Sequence, residues 1–208
     1  IKLANSKLKV IAIAGDGDVY GEGLNHLINS SRANIDIIQI VANNHSYSLT
    51  TGQASPTSSL GYKSRTTPLG EVKEPLNPLA LSLESGATLV AQGYTGNLKE
   101  LIQIFKEALN HKGFSLIDIQ QVCITFNHTE NASYYAEKVK PLIKVNTNIE
   151  LALKYARDKK NINTGVLYEV NRPIYDSHFN HLSNKTLLGQ VTSPNSQLIN
   201  GFIKELSI

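Results

Sequence analysis

Apolar and polar positions alternate along the chain in a way that separates strands from helices. The run LKVIAIA at residues 8–14 and the run IDIIQIVA at residues 35–42 are continuous apolar stretches of strand length. Between them, residues 21–32 carry polar residues at helical spacing. Short, mainly apolar strands that alternate with helices predict parallel βαβ units, with the sheet buried on both faces. Further on the pattern predicts a short helix at 79–86, a strand at 88–92, a helix at 97–111 and a strand at 114–122. In the helix at 97–111, Leu98, Leu101, Ile102, Phe105, Ala108 and Leu109 form a core-facing stripe, and Gly113 ends it. The last third reads differently: helical at 130–142, 148–158 and 195–206, extended at 163–170. The expected architecture is therefore α/β, a parallel sheet with helices on both faces. Residues 1–125 would form the core and 126–208 a mostly helical extension packed on it.

A long irregular stretch, Asn43 to Pro78, interrupts this rhythm. It is rich in Ser, Thr, Gly and Pro, yet includes Tyr47, Leu49, Leu60 and Tyr62. A loop this long in a compact domain is usually functional or disordered, and its apolar residues favour an ordered loop wrapped around something.

Composition narrows the function classes. The 208 residues carry a net charge of +3 with scattered lysines and no basic stripe interleaved with aromatics, which argues against nucleic acid. No apolar run reaches bilayer length, and the start has no signal-peptide pattern. The expected compartment is the cytoplasm, with no membrane partner. One cysteine rules out an internal disulfide. Sequons at Asn29, Asn127, Asn131 and Asn184 are expected to reflect composition and not glycosylation. The chain starts with Ile and contains no methionine, which leads to the expectation of a piece truncated at its N-terminus.

The chemistry gathers where the first strand ends, in GDGDVYGEGLNHL. A calcium loop would place Asp16, Asp18 and Gly21 at its first, third and sixth positions, but Tyr20 and Leu27 stand where oxygen donors are needed. A dinucleotide fingerprint fits Gly15 and Gly17 but meets Tyr20 at its third glycine, and the acid after the second strand is missing. A turn that binds diphosphate and magnesium fits better: glycine admits phosphate oxygens, a helix start offers N–H groups, and a carboxylate holds the cation. A tight turn without a ligand stays open. The diphosphate reading needs a second oxygen-rich turn, and NNHSYSLTTGQASPTS, Asn43 to Ser58, follows the second strand. Ligands in open parallel sheets bind beyond the carboxyl ends of strands, so Asp16 and Asn44 can face one ion if their strands are neighbours. Such hard oxygen donors suit magnesium.

The stretches GDGD…GLNHLI, NIDIIQIVANN, YSLTTGQASPTS, TTPLGEVKEP, SGATLVAQ, HKGFSLIDIQQVCITFN and LYEVNRPIYD occur in order over most of the chain. With GDG and NN separated by 25 residues, they resemble the β subunits of the 2-oxoacid:ferredoxin oxidoreductases. The resemblance implies a thiamin diphosphate-binding fold of the pyrophosphate-binding type. It implies Mg2+ held by Asp16, Asn44 and the carbonyl of Ser46, and thiamin diphosphate contacted by Gly17, Asp18, Ser48 and Leu49. Thr50, Gly52 and Gln53 would line the substrate side. Thr51 stands where the family commonly has glycine. Cys123, by composition alone a small buried hydrophobe, would be one thiolate of a [4Fe–4S] cluster, the other three lying upstream of residue 1. No residue of this chain is expected to act as a catalytic acid or base. The implied reaction is coenzyme A-dependent oxidative decarboxylation of a 2-oxoacid (pyruvate or 2-oxoglutarate type), with electrons passing to ferredoxin. The implied partners are an α subunit, with or without γ and δ subunits, and a second αβ unit. A non-redox thiamin diphosphate decarboxylase subunit and a non-catalytic remnant are the alternatives. Among the histidines, His45 lies in the loop with its ring expected to turn away from the metal, and His111 suits a helix C-terminus. His26 falls in the first helix and is expected to be a hydrogen-bonded structural residue, and His128, His178 and His181 carry no pattern.

Overall fold

The computed structural model describes residues 1–143, 145–179 and 195–206. His181 and the sequon at Asn184 lie outside them. Six strands form one sheet in the order β1-β2-β4-β3-β6-β5. They are β1 (Ile11–Gly15), β2 (Ile38–Asn43), β3 (Leu89–Tyr94), β4 (Ser115–Gln120), β5 (Val139–Pro141) and β6 (Ile162–Glu169). The first four run parallel, with Ile13 beside Ile40, Ile40 beside Ile117 and Ala91 beside Ile117. β6 runs antiparallel to β3, so the final third extends the sheet as well as packing on it.

The helices are α1 (Leu24–Ala33), α2 (Pro78–Glu84), α3 (Leu98–Asn110), α4 (Ala132–Lys138), α5 (Ile149–Ala156) and α6 (Ser196–Leu206). Asparagine starts five of them: Asn77, Asn97, Asn131, Asn148 and Asn195 each accept a backbone N–H of the first turn through the side chain. This fills donors that a helix start leaves unpaired, and gives a structural use to part of the asparagine-rich composition. The sequon at Asn127 is likewise structural, since that side chain is buried and bonded to Glu130.

The sheet has two apolar faces. On one, Leu27 of α1, Leu79 and Leu83 of α2 and Ala152 and Leu153 of α5 pack on Val41, Val90, Leu116 and Leu167. On the other, Leu101, Ile104 and Ala108 of α3 pack on Ile38, Ala91, Ile117 and Val166. The stripe expected on α3 is only partly right. Leu98, Ile102 and Leu109 are exposed and Ile104, left out of the expectation, is buried. A helix lying on a flat sheet buries one narrow row, here residues 101, 104 and 108, and leaves the neighbouring row outside.

The first helix also starts differently. Residues Gly17–Glu22 form a π-helical turn ahead of α1, closed by the Gly23 N–H on the Asp18 carbonyl at 2.7 Å. Such turns are rare and cluster at functional sites. Together with the loop 44–77, this turn stands at the carboxyl ends of β1 and β2.

Candidate functional site

Parallel pairing of β1 with β2, with Gly15 beside Ala42, sets the ends of these strands next to each other. A cleft of about 320 Å³ opens there. Its walls are Gly15, Asp16, Gly17 and Asp18 from the first turn, Ala42 from β2, and Asn44, Ser46, Tyr47, Ser48, Leu49 and Thr50 from the loop. Every residue expected to hold the cation or the diphosphate is thus brought to one cavity. Cys123 is outside its walls, but its Sγ lies 3.8 Å from Ser48 Oγ. Thr51 and Gly52 instead line a separate cleft of about 330 Å³ with Lys63, Arg65 and Phe126.

Asp16 is 2% exposed and does not cap the helix that follows it. Its Oδ2 accepts the hydroxyls of Ser55 at 2.6 Å and Thr57 at 2.8 Å. A carboxylate this buried requires such donors. Both bonds fall on Oδ2, so Oδ1 has no hydrogen bond among the described residues and remains available to a cation. Asp18 uses its own Oδ2 to accept the Gly15 N–H at 3.0 Å, closing the turn.

Two consecutive asparagines shape the second turn. Asn43 Oδ1 accepts the His45 N–H at 3.3 Å and Asn44 Oδ1 accepts the Ser46 N–H at 3.1 Å. These are side chain-to-backbone turns of the kind Asn favours. They hold His45 in the left-handed region, φ 61°. Tyr47 then lies across the first turn, with its hydroxyl donating to the Gly17 carbonyl at 3.3 Å. A methyl group on Gly17 would come within 2.2 Å of that ring, so the close approach of the two turns needs glycine there. Leu49 is 99% exposed at the rim.

Behind the cleft runs a polar network that the sequence did not announce. Thr57 bonds Asn43 Oδ1 at 2.9 Å, and Asn43 Nδ2 donates to Asp118. Asp118 is wholly buried in β4 and also accepts Tyr20 Oη at 2.8 Å and Gln120 Nε2 at 2.9 Å. Burial raises its pKa above the ordinary carboxylate range against the pull of Tyr20, Asn43 and His45. Because the Gln120 amide nitrogen faces Asp118, its oxygen faces His45 Nε2, at 2.8 Å. His45 Nδ1 lies 2.9 Å from Glu130 Oε2. Acceptors facing both ring nitrogens favour the charged form of the ring. Burial would push its pKa down, but Glu130 and Gln120 hold it up to about 9. The ring therefore turns away from the cleft and into the segment after β4, where Ser59 and Asn127 also bond Glu130. The one visible signal for this network was a single acid inside an apolar strand, Asp118 in FSLIDIQQV.

Cys123 opens that segment. It is 7% exposed and followed by a turn. Burial alone would raise the thiol pKa, but the peptide N–H groups of Phe126, Asn127 and Thr125 and the Ser48 hydroxyl outweigh it and hold it below the usual value.

The donors can be tested against the groups the sequence implies. A buried carboxylate with a free oxygen, an amide oxygen and a peptide carbonyl form a hard-oxygen set that fits Mg2+. The described residues hold no group of three or more His, Cys, Asp or Glu able to bind a metal. One cysteine whose thiol is held below its usual pKa fits one of the four ligands of a [4Fe–4S] cluster. No helix among the described residues is long and apolar enough to cross a membrane.

Residues 1–119 match the family model described as thiamine pyrophosphate enzyme, C-terminal TPP binding domain. Residues 123–184 match the model for the C-terminal part of the pyruvate ferredoxin oxidoreductase beta subunit. The chain is 45% identical over 139 residues to the 2-oxoacid:ferredoxin oxidoreductase subunit beta of Saccharolobus solfataricus, covering 67% of this chain and 46% of that one. It is 30% identical over 188 residues to the 2-oxoglutarate synthase subunit KorB of Methanocaldococcus jannaschii, covering 89% of this chain and 70% of that one. Its fold matches a solved 2-oxoglutarate:ferredoxin oxidoreductase from Magnetococcus marinus, determined with 2-oxoglutarate, coenzyme A and succinyl-CoA bound. The TM-score is 0.87 at 32% identity, over 96% of this chain and 69% of that one. The chain spans about half the length of the first curated relatives it matches.

Proposed function

Since the chain belongs to the β-subunit family of the 2-oxoacid:ferredoxin oxidoreductases, we propose that it is the cofactor-binding part of such an enzyme, of the 2-oxoglutarate type. The reaction is oxidative decarboxylation of the 2-oxoacid, with coenzyme A taking the acyl group and ferredoxin the electrons. The observation that carries this reading is the single cleft lined by Asp16, Gly17, Asp18, Asn44, Ser46, Ser48 and Leu49, with Cys123 against its wall.

In this reading Asp16, Asn44 and the Ser46 carbonyl hold Mg2+, and Gly17 and Asp18 meet the diphosphate of thiamin diphosphate through their backbone. Ser48 and Leu49 contact the same cofactor, and the exposed Leu49 presents an apolar surface to its ring. Bound thiamin diphosphate supplies the carbanion chemistry at the 2-oxoacid carbonyl. The chain's own work is to orient that cofactor and to hold the loop shut behind it through Asp16, Thr57, Asn43 and Asp118. Cys123 supplies one thiolate of a [4Fe–4S] cluster whose other three ligands lie upstream of residue 1. An α subunit, with or without γ and δ subunits, completes the substrate side, and a second αβ unit completes the assembly, in the cytoplasm.

The deciding experiment is co-expression with the α subunit and assay of 2-oxoglutarate- and coenzyme A-dependent reduction of ferredoxin, with pyruvate as competitor substrate. Reduction that needs all three components supports the proposal. Carbon dioxide release with no electron acceptor required would point to a non-redox decarboxylase and overturn it. An assembled complex that binds Mg2+ and turns over no 2-oxoacid would identify a remnant.

A further inference from the structure

Ser48 occupies the contact between the cleft and Cys123, and its hydroxyl has a single proton to give. Asn44 fixes where that proton goes. The Asn44 amide oxygen accepts the Ser46 N–H at 3.1 Å, so its nitrogen faces Ser48 and donates to Oγ at 2.9 Å. Ser48 Oγ is therefore already an acceptor on that side. Cys123 Sγ, at 3.8 Å, is the other polar atom within bonding distance of Oγ. As a cluster ligand Cys123 would be a thiolate with no proton to offer, which makes the Ser48 hydroxyl the donor in that state.

We propose that Ser48 is a positioning residue for the Cys123 thiolate, whose O–H···S bond sets the reduction potential of the iron–sulfur cluster and links the magnesium turn to the electron outlet. This rests on the reading that Cys123 is a cluster ligand. The physical reason is electrostatic. Reduction adds negative charge to a cluster and its thiolates, and a donor hydrogen bond stabilises the reduced state more than the oxidised one. Loss of the donor makes the cluster harder to reduce. Because the same oxygen accepts from Asn44, a shift of the Asn44 amide on cation binding is felt at Sγ through two bonds.

The test is a reductive titration of the assembled enzyme, freed of thiamin diphosphate and followed by electron paramagnetic resonance and iron content. Freeing the enzyme of cofactor removes any effect of Ser48 on cofactor binding. Ser48→Ala is expected to keep the cluster and move its midpoint to lower potential. Ser48→Thr and Ser48→Val are a second pair, nearly identical in shape and different in the hydroxyl. Thr should titrate as wild type, and Val should follow Ala. Equal midpoints for the Thr and Val variants, at unchanged iron content, would overturn the proposal. Cys123→Ala in parallel keeps the two readings apart. A cluster retained there with its wild-type signal overturns the ligand assignment itself, whereas a lost cluster with unmoved Ser48 variants overturns the role of Ser48 alone.

Discussion

Tyr20→Phe removes one oxygen atom from the centre of the molecule and leaves the ring. Tyr20 is 2% exposed and Asp118 is fully buried, with 2.8 Å between Oη and Oδ2. A hydrogen bond to a buried charged group contributes roughly 1.5–3 kcal/mol. Full orphaning of a buried charge costs more, roughly 3–5 kcal/mol. Asp118 is not orphaned in this variant, because Asn43 and Gln120 still donate to it. The expected loss is therefore about 2 kcal/mol, at the middle of the first range. The chain has no tryptophan, so urea unfolding is followed by far-UV circular dichroism. In an Asp118→Asn background the same change should cost about 1 kcal/mol, the value of a neutral bond. A loss under about 0.5 kcal/mol in the wild-type background, or identical losses in the two backgrounds, would refute a charged bond at this site.

Asp16→Ala is expected to abolish thiamin diphosphate binding in the assembled enzyme and to destabilise the loop, since the hydroxyls of Ser55 and Thr57 lose their shared acceptor. Cofactor retained at wild-type stoichiometry would sink the magnesium assignment. Cys123→Ser should leave decarboxylation intact and stop ferredoxin reduction, so an unchanged ferredoxin rate rules out its cluster role. Thr51, a β-branched residue at φ 79°, gains up to about 1 kcal/mol on change to Gly, because relief of left-handed strain outweighs the entropy cost. A lowered urea midpoint would contradict this. Asp36 tests the acid limb of stability. Burial would raise its carboxyl pKa, but Lys2 at 2.6 Å and the Gly113 N–H hold it below the ordinary value. Its contribution is thus complete above the unfolded pKa of about 3.9 and is lost as pH falls through the lower folded one. Asp36→Asn should flatten stability against pH in that window, and an unaltered acid limb would contradict the assignment.

Strands β1 to β4 were legible because their apolar runs are short and bounded by turn residues, whereas β5 was not, since residues 130–142 read as one helix and the chain turns extended at Val139–Pro141. The direction of β6 was not, since nothing local to INTGVLYE records whether it meets β3 head to head or head to tail. On α3 the sequence shows two adjacent apolar rows, and only contact with the sheet decides that Leu101, Ile104 and Ala108 are the buried one. The site was legible as two turns at neighbouring strand ends. What supports it was not. Tyr20 read as a glycine missing from a fingerprint, and it proves to be the donor to a buried acid in another strand. Such a pairing across 98 positions has no periodic trace. The π-turn escaped for a similar reason: it packs Gly17 and Gly21 against Tyr47, thirty positions downstream of the first of them.

The loop 44–77 closes on bonds made within the chain: Tyr47 with Gln53, Gly61 with Glu71, Leu76 with Pro56, and Thr57 and Ser55 with Asp16. Its ordering entropy is therefore met by folding and not by a ligand. Binding of a diphosphate there should bring a small heat-capacity change, set by the apolar area of the ligand alone, and no protection of new amides against hydrogen exchange. Segments that order on association show the opposite, large negative heat-capacity changes and affinity spent on ordering. Calorimetry across temperature would read the difference directly. A rigid receptor of this kind also puts discrimination between diphosphates into shape, because a loop already set cannot mould itself to a near relative of its ligand.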